Sequence, residues 1–230
     1  MAVPNGGHEP MATTLPAETQ RLNMVNGQLR TGDVVDQGVL AAFLDTARER
    51  FVAPGLASLA YLDRDLPALG AKFRRLLPPL ILARMLQAAV VNDGELALDV
   101  GGGSGYGASL LSTMGARVVA LESDPGAAAA ARKELAGRAN VTLIEGALDA
   151  GAAKFGPFDV IVVEGAFRVE PKSLLAQLAD GGRLVGVDAT GAISQAVLYE
   201  KKGGALSQRG LFETRAETLD GFRPEERFSF

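Results

Sequence analysis

The sequence predicts a single α/β domain, in which helices cover both faces of a mostly parallel β-sheet. Three observations predict this class. The 230 residues are 47% hydrophobic and 22% charged, as in globular chains. From residue 96 onward, short apolar runs alternate with stretches of helical periodicity. The first run, LALDV, leads into the glycine-rich turn GGGSGYG and then into a helix, as in many nucleotide-binding sheets.

The part of the chain before this sheet is predicted to be mainly helical. Apolar residues recur at helical spacing from Gln20 to about Leu56, with a break near Thr31. The next stretch, ASLAYLDRDLPALG, is a predicted loop or short strand, and Pro79 begins the helix PLILARMLQAAVV. We divide the chain into a flexible tail (1–19) and one domain (20–230), with a helical part (20–90) and a sheet part (91–230).

The sheet is predicted to contain alternating strands and helices, followed by a hairpin. The predicted strands are LALDV, ARVVALE, VTLIEG, FDVIVVEG and GRLVGVD, and the predicted helices are YGASLLSTMG, DPGAAAAARKELAG and PKSLLAQLADGG. AVLYEK and the region around GLFETRAETL are predicted to close the sheet as the hairpin. Ligands of such sheets bind beyond the carboxyl ends of the parallel strands, where the glycine turn lies.

Composition excludes several kinds of chemistry. The chain has no cysteine, which excludes disulfides and cysteine nucleophiles, and we expect no metal site. The single histidine, His8, lies in the predicted tail, so we expect no imidazole base. The net charge is −4 without a basic cluster, which argues against nucleic acid as a partner. The apolar runs are too short to span a bilayer and the N-terminus lacks a signal-peptide core. We therefore expect no membrane partner and a cytoplasmic location.

The glycine turn fits two classes of ligand. In the first, Gly103, Gly105 and Ala108 match the dinucleotide fingerprint G-x-G-x-x-G/A, and Glu122 follows at the end of the next strand. The helix N-terminus after the turn suits the phosphates of such a ligand. This match predicts an NAD-type cofactor, but the motif alone has low specificity.

The second class of ligand fits the acidic residues better. Asp99 lies inside the end of LALDV and begins the spacing Asp99-x-Gly101-x-Gly103-x-Gly105. A carboxylate at Asp99 would repel a pyrophosphate and attract an ammonium group. Glu122 can then accept both hydroxyl groups of a ribose. A ligand with a cationic amino acid at one end and a nucleoside at the other is S-adenosylmethionine (SAM).

The sequence resembles the protein-L-isoaspartate O-methyltransferase family from about Arg21 to Gly191. The resemblance is carried by MVNGQLRTGDVVDQGVLAAF, by RERFVAPGLASLAYLDRDLP with Arg48, Phe51, Tyr61 and Asp63, by the helix with Pro79, Ala83 and Met85, by LDVGGGSGYGASLL, and by PKSLLAQLADGGRLV. The resemblance implies a Rossmann-like α/β/α methyltransferase sandwich with N-terminal helices and a C-terminal antiparallel hairpin. It also implies a SAM-dependent enzyme of protein repair, which methylates the side-chain carboxylate of damaged aspartyl residues in proteins or peptides.

The motifs and the resemblance together indicate a cofactor site. Its residues are Asp99, Gly101, Gly102, Gly103, Ser104, Gly105, Tyr106, Glu122, Ser123, Gly146, Ala147 and Leu148. Methylation of a carboxylate also suits the composition. A carboxylate has a pKa of about 4 and is ionised at neutral pH, so it attacks the methyl group without a histidine or cysteine base.

Four residues depart from the family pattern, all near the expected ligands. Leu77 stands two residues before Pro79, where the family has the serine of T-I-S-x-P. Ala147 replaces the aspartate of a Gly-Asp pair, and Val187 replaces the proline of L-V-x-P. Glu164, in VVEGAF, stands where the family has a small residue or threonine.

These departures leave three hypotheses open. Isoaspartyl methylation is retained, or the acceptor has changed, with a small molecule as one possibility, or the chain binds SAM without catalysis and acts by interaction. Leu77 marks the position of the family serine and is not itself catalytic. Glu164 is the candidate catalytic group, which faces the sulfonium or the acceptor. Alternatively, its side chain turns to solvent or pairs with Arg168, four residues on.

Overall fold

The computed structural model describes residues 15–224, so most of the predicted tail, with Met1, His8 and Met11, lies outside the described residues. The strands are β1 (Leu66–Pro67), β2 (Arg75–Leu76), β3 (Leu96–Val100), β4 (Arg117–Glu122), β5 (Val141–Glu145), β6 (Phe158–Phe167), β7 (Leu178–Asp188), β8 (Gln195–Lys202) and β9 (Ala205–Glu213). The last seven form one sheet in the order β5-β4-β3-β6-β7-β8-β9. Strands β3 to β7 are parallel, while β8 and β9 are antiparallel to their neighbours. The predicted fold class is confirmed.

The helices lie where the hydrophobic pattern predicts them, apart from one. They are α1 (Ala17–Met24), α2 (Gln37–Asp45), α3 (Pro79–Ala89), α4 (Tyr106–Thr113), α5 (Pro125–Glu134) and α6 (Lys172–Ala176). Helix α1 begins inside the stretch predicted as a tail. It continues as a π-helical turn and ends in a 3₁₀ turn at Arg30–Gly32, the predicted break.

The exception is the helix predicted for PKSLLAQLADGG, which is too long. Only Lys172–Ala176 is helical, and the chain enters β7 at Leu178. Gly181 has a φ of 82°, which an α-helix does not allow, and Gly182 is a poor helix former. Leu178 instead pairs with Phe158 of β6.

The predicted hairpin is present, and its second strand begins earlier than expected. Its turn is formed by Gly203 and Gly204, with φ angles of 58° and 79°. Two residues with positive φ are the requirement of a tight type I′ hairpin turn. Strands β8 and β9 pair from this turn to Gln195 and Glu213, with one register shift between Ala196 and Val197.

The sheet separates two apolar clusters, and the alternation along β6 shows this directly. Val160 and Val162 belong to the cluster on the side of α2, α3 and α4, and Ile161 and Val163 belong to the other cluster. Because both faces are covered, β6 is a continuous apolar run. This buried sheet holds the carboxyl ends of β3, β4 and β6 together at one edge. Between residues 15 and 224, the helices are too short or too polar to cross a membrane.

Candidate functional site

The glycine turn after β3 has a backbone that favours glycine strongly. Gly101, Gly103 and Gly105 have φ angles of 73°, 66° and 94°, in the left-handed region. At Gly102 the constraint is steric, because a Cβ atom there would lie 2.4 Å from Oδ2 of Asp99. The turn therefore folds closely around Asp99 before α4 begins.

Ser104 and Tyr106 anchor this turn from the inside of the protein. The Ser104 hydroxyl donates a hydrogen bond to the carbonyl oxygen of Phe51. The Tyr106 ring packs against Phe43 and Phe51, with centroid distances of 6.0 and 5.4 Å. Both side chains are fully buried. Their side chains support the turn, which leaves their backbone groups for a ligand.

Three buried acidic residues lie toward the carboxyl ends of three adjacent strands. Glu122 ends β4, Asp99 is the second-last residue of β3, and Glu164 lies in the second half of β6. Each of the three is at most 2% exposed. A buried carboxyl group is costly unless other groups satisfy it, so the surroundings of each decide its role.

Glu122 is surrounded by donors. Its Oε1 atom accepts from the backbone N–H groups of Ser123 and Asp124 at 2.7 and 2.9 Å. The same atom accepts from Nε and Nη2 of Arg74, at 3.3 Å each. The Oε2 atom accepts from the N–H group of Gly103 at 2.8 Å. Glu122 therefore links the glycine turn to the end of β4.

Arg74 is a site residue that the sequence did not indicate. It lies directly before β2, is 8% exposed, and donates to Oγ of Ser123 at 3.1 Å and to Oδ2 of Asp220 at 3.4 Å. Arg74 and Glu122 are 48 residues apart, and Asp220 is 146 residues from Arg74. No local spacing reveals contacts of this range.

The loop after β5 also borders the glycine turn. The Gly146 N–H donates to the last carbonyl of β4 at 3.1 Å. Leu148 is buried, and its Cδ1 atom lies 3.2 Å from the point where Gly101 would carry a Cβ. Ala147 is exposed and offers no side-chain hydrogen bond. Val187, another departure from the family pattern, lies inside β7.

Asp99 and Glu164 form a pair of carboxyl groups that face each other. Among the described residues, no N–H or O–H group donates to Oδ1 of Asp99 or to either oxygen of Glu164. The two groups are close enough for one carboxyl group to donate to the other when it is protonated. Glycine at position 107 makes room for this pair, because a Cβ there would lie 1.5 Å from Oε1 of Glu164. The buried Glu164 side chain neither turns to solvent nor pairs with Arg168.

The pKa values of this pair are both shifted upward. Burial, together with the neighbouring Glu164 and Glu122 carboxyl groups, raises the pKa of Asp99 well above its ordinary value. Burial raises the pKa of Glu164 to about 7, although Asp99 and the positive charge of Arg48 act in the opposite direction. Near neutral pH the pair therefore holds at least one proton, which a cationic ligand would displace.

Arg48 is the positive charge beside this pair, and it is completely buried. Its Nη2 donates to the carbonyl oxygen of Leu77 at 2.9 Å, and its guanidinium carbon lies 5.0 Å from the centre of the Tyr106 ring. Its Nε and Nη1 have no acceptor among the described residues. From the sequence, Arg48 was a matching family position without a role. Its neighbours Glu49 and Arg50 are charged and at least partly exposed, so no local pattern marked Arg48 as buried.

A cavity of about 280 Å³ opens next to Glu164. Its apolar wall includes Leu76, Leu77 and Pro78, and its remaining lining residues are Asp65, Arg75, Glu164, Arg215, Ala216, Glu217 and Leu219. Leu77 and Glu164, the two positions predicted to differ from the family at the acceptor, thus line the same cavity.

Comparison with known proteins agrees with this arrangement. The family model for protein-L-isoaspartate(D-aspartate) O-methyltransferase matches residues 19–218. A protein-L-isoaspartate O-methyltransferase of Koribacter versatilis (strain Ellin345) is 36% identical over 204 residues, which cover 87% of this chain and 90% of the relative. One from Methylorubrum populi (strain ATCC BAA-705 / NCIMB 13946 / BJ001) is 41% identical and covers 73% of this chain and 79% of its own length.

Solved structures give the same result. A protein-L-isoaspartate O-methyltransferase matches with a TM-score of 0.78 at 26% identity, over 87% of this chain and 66% of that one. A Plasmodium falciparum protein of the same description, in complex with S-adenosyl-L-homocysteine, has a TM-score of 0.75 at 21% identity, over 86% and 97%. This second likeness shows the fold. The chain belongs to the protein-L-isoaspartate O-methyltransferase family of SAM-dependent methyltransferases.

Proposed function

We propose that this chain transfers the methyl group of SAM to a side chain of a protein or peptide. The observation that best supports this is the unpartnered Oδ1 atom of Asp99, buried just before the glycine turn. A buried polar atom without a partner is unfavourable unless a ligand supplies the contact. The ammonium group of SAM is a partner of the right charge.

The residues present fit this cofactor chemically. Asp99 and Glu164 would hold its ammonium end, Glu122 would accept from its ribose, and the turn at Gly101 allows close approach. Bound SAM supplies a methyl group on a positively charged sulfur. Ala147 lacks the carboxylate that the family has near the adenine. Losing one charged hydrogen bond there weakens binding by about 1.5–3 kcal/mol.

The cavity beside Glu164 is the proposed acceptor site. Leu76 and Leu77 form an apolar wall of this cavity, and Glu164 is a buried polar group in its lining. For a carboxylate acceptor the chain has little to do beyond holding the two reactants in contact, since no proton must be removed. For that acceptor, isoaspartyl activity depends on whether Glu164 is neutral when the substrate binds.

Two measurements test this proposal in sequence. S-adenosylhomocysteine is titrated into the protein by calorimetry, and saturable binding below millimolar concentration is expected. The protein is then incubated with methyl-labelled SAM and an isoaspartyl peptide, with the aspartyl peptide of the same sequence as control. Failure to bind at millimolar cofactor contradicts the proposal. Binding without transfer to any protein supports a non-catalytic interaction protein instead.

A second candidate, an acceptor other than a carboxylate, is favoured by the position of Glu164. An ionised Glu164 about 5 Å from an acceptor carboxylate would repel it by about 3 kcal/mol at an effective dielectric constant of 20. An amine or hydroxyl acceptor, on a protein or a small molecule, would benefit. Glu164 would hold the ammonium form or take the proton as the acceptor attacks.

The stability of the product distinguishes the two candidates. Methyl esters release methanol in mild alkali, whereas methylated amines and ethers do not. With a mixture of cellular proteins and metabolites as acceptors, label that survives alkali supports the second candidate. Label that is released entirely as methanol, and that an isoaspartyl peptide competes away, supports isoaspartyl methylation and rules the second candidate out.

A further inference from the structure

Arg74 joins three segments that are distant in sequence, and it does so at the cofactor site. It lies in the hairpin formed by β1 and β2, it contacts Glu122 and Ser123 after β4, and it contacts Asp220 in the C-terminal segment. Its two carboxylate partners differ in environment. The Glu122 side chain is 2% exposed and the Asp220 side chain is 75% exposed.

The contact with Glu122 conflicts with ribose binding. Arg74, Ser123 and Asp124 together place four donor atoms within 3.3 Å of the single Oε1 atom of Glu122. Four donors exceed the two lone pairs of a carboxylate oxygen, so a ribose hydroxyl that approaches this atom competes with the weakest contacts. The two backbone donors are fixed by the chain, whereas the two long contacts from Arg74 are not.

Arg74 also covers the glycine turn. Its Cγ atom lies 3.1 Å from the point where Gly103 would carry a Cβ, and Ala68 lies 2.9 Å from the same point. At Gly101 the corresponding neighbour is Leu219, at 3.0 Å. The chain's own side chains therefore lie against the face of the turn that a ligand approaches.

The Arg74 guanidinium has a second carboxylate partner, Asp220, and a cavity beside it. A cavity of about 260 Å³ adjoins Arg74 and is lined by Phe73, Arg74, Asp124, Glu217, Thr218, Asp220 and Arg223. The segment with Asp220 is held to β6, because Ala166 donates to the Glu217 carbonyl at 2.8 Å and Leu219 donates to the Ala166 carbonyl at 3.0 Å. Asp220 thus has a fixed backbone beside open space.

We propose that Arg74 determines cofactor affinity, because it competes with the ribose of SAM for Glu122 and keeps Asp220 as its carboxylate partner when the cofactor displaces it from Glu122. This inference rests on the proposed function, since it takes SAM as the ligand. Removal of the Arg74 side chain leaves Oε1 of Glu122 with its two backbone donors only, and it uncovers Gly103. The cofactor then binds without displacing an ion pair.

The experiment compares S-adenosylhomocysteine binding by calorimetry in the unchanged protein, in Arg74→Ala and in Arg132→Ala. Arg132 is the matched control, since it is the same residue type and pairs with another strand-end glutamate, Glu145, at the surface. We expect Arg74→Ala to bind about tenfold more tightly, which corresponds to 1.4 kcal/mol, and Arg132→Ala to bind as the unchanged protein does.

Asp220→Asn provides a second, milder test. It removes the alternative partner of Arg74, so we expect binding about twofold weaker in the unchanged background and no effect in the Arg74→Ala background. Because Asp220 is at the surface, this variant keeps the fold even where Arg74→Ala unfolds.

The outcomes separate the two proposals. If the unchanged protein binds the cofactor, and Arg74→Ala binds it equally or more weakly, the role of Arg74 is disproved and the proposed function stands. An Asp220→Asn variant with unchanged affinity also disproves the role of Arg74. If neither the unchanged protein nor Arg74→Ala binds the cofactor, the proposed function fails, and the inference fails with it.

Discussion

The ends of β4 and β6 each bury a glutamate, yet the two residues are in opposite situations. Glu122, on β4, accepts from three backbone N–H groups and from Arg74. Glu164, on β6, accepts no hydrogen bond from the described residues and faces the Asp99 carboxyl group. Both are 2% exposed. Burial alone therefore does not determine the charge of a carboxyl group.

The difference indicates that the two glutamates have different roles in the site. At the end of β4 the carboxylate is structural until the cofactor replaces Arg74. At the end of β6 the carboxyl group can change its protonation, because burial disfavours its charge and the Glu122 carboxylate repels it. Four predictions test this contrast.

The first prediction concerns the satisfied carboxylate. Glu122→Ala leaves three N–H groups without an acceptor and removes the buried carboxylate partner of Arg74, so we expect the free energy of unfolding to fall by about 3–5 kcal/mol. Urea denaturation measures this. Glu145→Ala is the matched control, since Glu145 ends the neighbouring strand but pairs with Arg132 at the surface, and it should cost under about 1 kcal/mol. Equal losses in both variants would show that Glu122 is not specially held.

The second prediction concerns the acceptor. Glu164→Thr removes a charge that repels a carboxylate substrate, so at pH 8 we expect kcat/KM for an isoaspartyl peptide to rise by about a hundredfold, or 3 kcal/mol. At pH 6 the gain should be smaller, because the pKa of Glu164 is about 7 before the cofactor binds and the group is ionised less fully than at pH 8. Peptide assays at both pH values measure the difference.

The controls for this prediction use the same cavity. Glu217→Thr changes an exposed glutamate that also lines the cavity, and it should have little effect. Adding Leu77→Ser to Glu164→Thr supplies a hydroxyl group near the acceptor, with a further gain of about tenfold. If neither variant gains activity, charge at Glu164 does not decide the acceptor.

The backbone of this site could be predicted from the sequence, but the surroundings of its two glutamates could be predicted only in part. The turn at Gly101, Gly103 and Gly105 was predictable because positions with a positive φ favour glycine. All three residues have a positive φ in the structure. The ends of β3, β4 and β6 were predictable because a buried parallel strand is an apolar run.

The side-chain contacts were not predictable in the same way. Glu164 was identified as a departure from a family pattern. Its contact with Asp99 was not predictable, because the two residues lie on neighbouring strands that are far apart in the sequence. The ion pairs of Arg74 with Glu122 and Asp220 span 48 and 146 residues. Such contacts depend on how the hairpin of β1 and β2 and the C-terminal segment pack on the sheet, which no local periodicity encodes.

The third prediction concerns stability and pH. The pKa of Glu164 rises from an ordinary 4.5 to about 7 on folding, so the folded state binds the proton more tightly than the unfolded state. Stability is therefore lost as the pH rises from 4.5 to 7. Glu164→Gln removes this loss, at the cost of a buried amide. We expect it to be about 2 kcal/mol more stable than the unchanged protein at pH 8.

Urea denaturation at pH 5 and pH 8 measures this effect. At pH 5 Glu164 is protonated in the folded state, so the variant should show no gain there. Glu170→Gln serves as control, because Glu170 is exposed and its charge carries no such penalty. A Glu164→Gln variant that is less stable at both pH values would indicate that the carboxylate is favourably held, as Glu122 is.

The fourth and smallest effect is the pH dependence of cofactor binding. Glu164 is surrounded by Asp99 from β3, Glu122 from β4 and Arg48, and it holds a proton below pH 7. An ammonium group beside the pair favours its ionised form, so binding releases that proton and affinity should rise by about tenfold between pH 6 and pH 8. The amino group of SAM itself loses a proton near pH 8, which works in the opposite direction. Glu164→Gln corrects for this, because the titration of SAM is the same in both proteins while the titration of Glu164 is absent. The ratio of the two affinities, measured by calorimetry across this range, should therefore rise with pH. A constant ratio would mean that Glu164 keeps its proton when the cofactor binds, and that Asp99 alone faces the ammonium group.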